Sequence, residues 1–503
     1  MLREKLIKGC LLNKIYLTLI NMKNIIKLSA LSIILFFSSC TKDDNIIEPS
    51  VNDDINYFVW KGLNAYYLWQ KDIPNLADNR FANFDELYTY FRGFSNPENS
   101  FESLLNRPTD RFSWIVDDYI ALENSFQGIT LNNGMEFGLV RYENTPTNIF
   151  GYVRYVVPNS DAASKGITRG MIFNAIDGTQ LTESNYSSLL FGNNTSYSTD
   201  FADYNAGNPT SNGSSASLTK TQLQENPVAV SKVITEGTQK IGYLMYNQFS
   251  SSFDTQLNAA FASFKTEAIN DLIIDLRYNG GGSVRTATYL GSMVTGQFNN
   301  ELFSKQVWNE KVQAAIDPSN FTNNFTNQID HDNINEAINN LGLTRVYFIV
   351  TGSSASASEL VINSLSSYID VKLIGTTTIG KQVGSVTLYD SDNLSRNGEN
   401  LNQNHTYAMQ PIVLEIKNKD DLNYPNGIVP GITLPGIELP EDYGNLGVLG
   451  ERTDPLLDRA LVYISTGAKF SNQPKIDASK TLEIYNSKLA TPSSNEMYVH
   501  FKN

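Results

Sequence analysis

Ser356 and Lys381 are the two side chains in this sequence whose surroundings best suit covalent chemistry. The run Arg345 to Val350 is β-branched and aromatic, the pattern of a short buried strand, and it stops at Thr351-Gly352-Ser353-Ser354, where glycine and serine turn the chain. From Ala357 the residues Leu360, Val361, Ser364, Leu365 and Tyr368 recur at helical spacing, so Ser356 falls at or just before a helix N-terminus. Negative charge is stabilised there. Val371 to Ile374 reads as a second buried strand, and Gly375 to Gly380 as a loop delivering Lys381. A serine on such a turn more commonly caps its helix, and an isolated lysine more commonly points into solvent. In this close order the two read as the active half of a serine hydrolase.

A glycine loop lies upstream. Leu272 to Ile274 is an apolar run that passes through Asp275-Leu276-Arg277-Tyr278-Asn279 into Gly280-Gly281-Gly282, a strand-to-helix turn in which glycine supplies positive φ. Ser356-Ala357-Ser358-Glu359, followed 25 residues later by Lys381 in Ile379-Gly380-Lys381, and the Asp275-Leu276-Arg277-Tyr278-Asn279-Gly280-Gly281 stretch together resemble the C-terminal processing peptidases, also called tail-specific proteases. The resemblance implies Ser356 as nucleophile, Lys381 as its general base, and the amides of Gly281 and Ala357 as the oxyanion hole. Backbone donors near a helix start suit that last task. A lysine of ordinary pKa, about 10.4, is charged at neutral pH, so the chemistry requires Lys381 to be enclosed, where desolvation disfavours the ammonium. Three positions of the core depart from the family: Ser367 stands where some members have Asp, Thr376 where members often have Glu, and Gly431, after Gly427-Ile428-Val429-Pro430, where Asp is usual.

The rest of the chain must position these residues. With 503 residues it is long enough for two or three domains. Ile55, Phe58, Val59, Leu63, Tyr66 and Tyr67 form one helical stripe and Phe84, Leu87, Tyr88 and Phe91 a second, so residues 53–118 are expected to be a small helical domain. Residues 128–227 change to short strands and turns. There Val157-Pro158-Asn159-Ser160 through Gly166-Ile167 and Arg169-Gly170-Met171 to Gly178 resemble the PDZ domains of bacterial proteases, with Met171 in place of the usual Asp. A PDZ domain binds a peptide by adding it as a strand. The groove strand is expected at Phe137, Gly138, Leu139 and Val140, and residues 206–217, rich in Gly, Ser and Asn, as a long hairpin loop. Strands and helices alternate over residues 228–465, the sign of an α/β core, interrupted by a partly helical excursion over 299–340. Residues 466–503 are expected as a C-terminal extension. The fold implied by the resemblance is an α/β, ClpP/crotonase-like catalytic core with a PDZ-like β-rich domain and an N-terminal helical domain.

Lys23 and Lys27 precede the apolar run Leu28 to Phe37 and then Ser38-Ser39-Cys40, the layout of a secretory signal too short to span a bilayer permanently. The small residues before Cys40 resemble a bacterial lipobox, so residues 1–40 are read as a signal segment, with Met22 as an alternative start, Cys40 as a lipidation site and 41–52 as a tether. An outer-membrane lipoprotein of a Gram-negative cell envelope is the resulting expectation. Thr41-Lys42-Asp43-Asp44 resembles signals that send lipoproteins to the cell surface. Apart from Cys40 the chain has Cys10 alone, so a chain cleaved before Cys40 forms no internal disulfide. A net charge of −14 argues against nucleic-acid partners. His331, His405 and His500 lack metal-ligand spacing, so no metal and no cofactor are expected, and the partners are protein or peptide substrates. The competing reading is a lipoprotein that binds peptides through a PDZ-like domain without cleaving them.

Overall fold

A computed structural model describes residues 50–467 and 483–499. The signal segment, Cys40 and the tether up to residue 49 lie outside the described residues, as does His500. Helix α1, Val51–Tyr66, starts inside the segment expected as tether, because Ser50 and Asp53 cap it reciprocally: Ser50 Oγ accepts from the Asp53 amide at 3.3 Å and the Asp53 carboxylate accepts from the Ser50 amide at 2.9 Å. Its face of Ile55, Phe58, Val59 and Leu63 is buried against α2, Phe84–Phe91, and α3, Pro97–Ser103. The second expected stripe is only half right. Leu87 and Phe91 are buried, but Phe84 is 55% exposed. Strand β1, Trp114–Val116, then pairs with Ala408–Gln410, which stitches the helical region to the core.

The β-rich unit holds β2 (Met135–Arg141), β3 (Ile149–Val156), β4 (Ile172–Ile176), α4 (Tyr186–Phe191), β5 (Ser196–Asp203) and β6 (Thr210–Thr219), in antiparallel order β2-β3-β4-β5-β6. Most of the run expected as a hairpin loop is therefore strand β6. It is an edge strand exposed on nearly its whole length, so its backbone pairing with β5 tolerates Ser, Asn and Gly side chains.

The core begins with β7 (Val228–Glu236), β8 (Gln239–Tyr246), α5 (Asp254–Thr266), β9 (Asp271–Asp275), β10 (Gly282–Ser283), α6 (Val284–Val294) and β11 (Leu302–Trp308). It continues with β12 (Arg345–Val350), α7 (Ala357–Ser366), β13 (Asp370–Gly375), β14 (Val383–Ser385), β15 (Ile412–Lys417), β16 (Gly436–Glu438) and α8 (Pro455–Thr466). One sheet runs β7-β8-β9-β12-β13-β16 and is parallel from β8 onward. Both its faces are covered, which is why Leu272–Ile274 and Val346–Val350 are continuous apolar runs. The excursion over 299–340 is partly helical, with a short α-helix at Glu310–Ala315 and a 3-10 turn at Pro318–Phe321, and the rest of its regular structure is strand.

Residues 466–503 are not a simple extension. Strand β17, Glu483–Asn486, adds antiparallel to the outer edge of β2, and β18, Met497–Tyr498, lies between β10 and β14 in a second core sheet, β10-β18-β14-β15-β11, that ends on Thr322–Asn324. Strands of two to four residues are too short to announce themselves by alternation. Their partners, more than a hundred residues away, define them.

Candidate active site

Ser356 sits where β12 turns into α7, as the residue before the helix, with φ +64° and ψ −118°. Such a conformation is unfavourable for a residue with a Cβ and persists only where the surroundings enforce it. Here Ser354 Oγ donates to the Leu276 carbonyl at 2.8 Å, the Ala355 amide to the Asn279 carbonyl at 3.1 Å, and Ser358 Oγ to that same carbonyl at 2.9 Å. The serine turn is thus bolted to the glycine loop through Asn279, whose own amide group donates to the Tyr246 carbonyl. Gly281, with φ +120°, needs to be glycine: a Cβ there would lie 2.7 Å from Ser356 Oγ.

Beneath the loop, Arg277 is fully buried and donates to Asp275 at 2.7 Å and to Glu441 at 3.2 Å, and it pairs with Asp454 at 2.8 Å.

Lys381 arrives on the loop after β13 and is 1% exposed. Glu359, one turn into α7, ties it to the serine. Its carboxylate accepts from the amides of Ser356 (2.8 Å), Gly380 (2.7 Å) and Lys381 (2.9 Å) and from Thr378 Oγ1 (2.5 Å). Burial pushes the Glu359 carboxyl up from its ordinary value, and these donors pull it back only in part. Arg111, from the helical region, donates to the Gly380 carbonyl at 3.1 Å, and the Phe112 ring lies 4.9 Å from Lys381 Nζ. Burial holds the Lys381 ammonium below the ordinary lysine range, as a base requires, while a carboxylate at 3.2 Å opposes the shift.

That carboxylate is Glu496, from the C-terminal segment. Its Oε1 also accepts from Ser385 Oγ at 2.5 Å and its Oε2 from Trp114 Nε1 at 2.9 Å. Among the described residues Ser356 Oγ, though buried, has no hydrogen-bond partner, and the ammonium of Lys381 is turned to Glu496 instead. The Gly281 N–H, expected in the oxyanion hole, is taken by Asn279 Oδ1 at 2.9 Å. The next amide, Gly282, is the one that meets a peptide carbonyl, that of Glu496 at 2.5 Å. Ala357 is in the first turn of α7, as expected.

The structure brings Ser356, Lys381, Ala357 and the glycine loop together. Two histidines lie elsewhere, His331 on Asp254 and His405 on Asp390. Glu496 and Trp114 escape the sequence reading. Trp114 is visible there only as one of several aromatics, and no local pattern marks Glu496.

A sequence model of peptidase family S41 matches residues 240–410, and one of the S41 N-terminal domain matches residues 54–114. Both models are of peptidase family S41, and they match the helical region and most of the core. The chain is 25% identical over 171 residues to a probable CtpA-like serine protease of Staphylococcus epidermidis, a match covering 34% of this chain and 31% of that protein. The chain thus spans about a third of the length of the curated relatives it matches. A putative S41 protease from Bacteroides fragilis has a similar fold, with a TM-score of 0.61 and 23% identity over 82% of this chain and 97% of that one. The S41 fold therefore accounts for the helical N-terminal region and the mixed α/β core.

In the β-rich unit the four expected groove residues lie on β2, but its two-residue period divides them. Phe137 and Leu139 join one apolar cluster with Phe173 and Leu190, whereas Val140 faces a different cluster with Tyr142 and Phe150. Val140 therefore does not line a shared groove with the other two.

Proposed function

We propose that this S41 chain is a serine endopeptidase in which Ser356 attacks the peptide carbonyl and Lys381 accepts its proton. The observation that carries this reading is the placement of an unpartnered serine hydroxyl and a fully enclosed lysine on two turns that share one buried carboxylate, Glu359. A lysine in this environment is deprotonated more readily than in water, the direction a general base requires. As the carbonyl carbon becomes tetrahedral, its oxygen gains charge at the start of α7, where the Ala357 and Gly282 amides are suited to receive it. The proton on Lys381 then passes to the leaving amine, and water releases the acyl-enzyme by the same route.

Substrate selection by a C-terminal tail fits the β-rich unit read as PDZ-like. Its β2 edge already accepts an extended segment in antiparallel register, with Tyr485 beside Tyr186 and Phe191 of α4. Strand addition with a side chain in an apolar groove is the recognition mode of such domains. Attachment to an outer membrane through Cys40 completes the proposal; among the described residues no helix is long and apolar enough to cross a bilayer. Hydrolysis of an unfolded protein by the wild type, compared with Ser356→Ala and Lys381→Ala, tests the reading. Turnover retained by either folded variant overturns the pair. Binding without turnover in the wild type under all conditions favours the peptide-binding lipoprotein.

A further inference from the structure

The segment 483–499 touches both places that a peptide substrate would have to touch. At its start, β17 lies along β2 with Tyr485 opposite Leu139, and the Tyr485 ring is 5.2 Å from Phe191 and 5.5 Å from Tyr186. Arg154, nearly fully buried, holds the Glu483 carboxylate at 2.5 Å. Next, Ser487 Oγ accepts from the Phe137 amide at 2.9 Å and donates to Glu136 at 2.6 Å. The segment then runs along a cleft of about 900 Å³ between the β-rich unit and the core, whose walls include Glu136, Phe137, Lys488 and Ser494. At the glycine loop its backbone comes so close that a Cβ on Gly280 would lie 1.8 Å from the Ser494 carbonyl oxygen. It ends with the Glu496 carbonyl on the Gly282 amide and Met497–Tyr498 paired in parallel with β10.

We propose that residues 483–499 are an intramolecular inhibitor: a strand that fills the peptide path from β2 to Ser356, holds Lys381 on the Glu496 carboxylate, and must lift away before a protein substrate can enter. The proposal rests on the peptidase reading of the same site. Three observations favour an inhibitor over a permanent wall. First, the two groups the chemistry needs make no hydrogen bond to the rest of the described fold. Ser356 Oγ has no hydrogen bond among the described residues, and the hydrogen bond of Lys381 Nζ goes to this segment.

Second, the segment has a substrate's backbone and the wrong side chain. Its carbonyl sits on a loop amide beside Ser356: both Glu496 O (2.6 Å) and Ser356 Oγ (2.7 Å) crowd the position of a Cβ on Gly281. Yet a carboxylate against the lysine favours the ammonium, the form that cannot take a proton from serine. Third, its direction is the reverse of a captured tail. A tail held on β2 would carry its cleaved bond upstream of the held residues, whereas Glu496 lies downstream of Tyr485. The segment therefore blocks both subsites without presenting the bond that tail capture would deliver.

The test uses the full chain and two independent readouts. The first is hydrolysis of a reduced, alkylated and internally quenched unfolded protein by the wild type and by Glu496→Gln, with Ser356→Ala as the control for background. The second is binding of the same fluorescent protein, followed by anisotropy, to Ser356→Ala and to Ser356→Ala/Glu496→Gln. If the inhibited state dominates, the competent fraction scales the apparent affinity, and Glu496→Gln is expected to raise hydrolysis and tighten binding by about tenfold or more. Tyr485→Ala should shift both in the same direction by less, and a synthetic peptide of residues 483–499 should suppress the Glu496→Gln variant. Gly280→Ala, whose Cβ would meet only atoms of the segment among its nearest neighbours, provides a second way to displace it if Glu496→Gln does not fold. Unchanged hydrolysis together with unchanged binding in the folded variants overturns the proposal, as does rapid release of residues 497–503 by the wild type, which would make the segment a substrate. Tighter binding with no turnover in any variant would support the inhibitor while removing the peptidase reading.

Discussion

Arg277 and Lys381 are both enclosed, one under the glycine loop and the other across from it, but they are held in different ways. Arg277 spreads its guanidinium over Asp275, Glu441 and Asp454, all of them inside the core. Among the described residues Lys381 forms an ion pair with one carboxylate, and that carboxylate comes from the C-terminal segment. A cation with several fixed partners has no cheap alternative state, because losing any of them strands a buried charge. A cation with one partner, removable if the C-terminal segment lifts as proposed, has two states, and the proposed chemistry needs the second. On the proposed mechanism the difference separates the charge that builds the loop from the charge that serves the reaction.

The largest effect that sharpens this contrast is on turnover. Lys381→Met should lower kcat by about 10²–10⁴-fold, the usual contribution of a general base, while the protein stays folded by circular dichroism. Arg277→Met should do the reverse of a catalytic lesion, destabilising the fold by about 3–5 kcal/mol in urea titrations because three carboxylates lose their shared partner. If Lys381→Met unfolded the protein and Arg277→Met did not, the contrast would be wrong. Glu359→Gln, which turns amide hydrogens toward amide donors, should cost about 1–3 kcal/mol of stability and reduce turnover through misplacement of both turns.

A subtler effect is on pH. Burial lowers the Lys381 pKa, so activity should rise with pH through that depressed value, since the neutral amine is the working form. Stability follows the same sign: the unfolded chain binds the proton more tightly, so folding gains as pH climbs from the depressed value toward 10.5. Glu496 pulls the value back up, so in Glu496→Gln the rise should begin at lower pH. A rise that starts at the same pH in both proteins would mean that Glu496 does not govern the lysine. Smallest of all, Trp114→Phe removes one donor to Glu496 and should change hydrolysis by a few-fold, in the direction of Glu496→Gln.

The sequence made the serine turn, the lysine loop and the glycine loop legible because each is a local pattern: an apolar strand, a breaker and a helix with its own period. It also contained Glu359 within Ser356-Ala357-Ser358-Glu359, though its task shows only when Gly380 and Lys381 fold back onto it. Gly281 was placed correctly in the loop. Its amide is spent on Asn279, a choice made by side-chain geometry that no spacing reveals. The C-terminal strands were illegible for a different reason. Met497–Tyr498 gains its identity from β10 and β14, and a strand of two residues carries no periodicity of its own.

The position of β18 between β10 and β14 also bears on how the protein is made. The sheet that flanks the active site has its gap filled by residues that leave the ribosome after Ser356, Lys381 and the whole glycine loop. Contacts this distant along the chain form late, because a long loop must close before they contribute. A nascent chain would therefore carry a nearly complete catalytic core while this sheet is still split in two, and synthesis itself would set the moment at which the halves are joined. Stalling translation just before residue 483 would show whether that unfinished core already protects its strands from proteolysis.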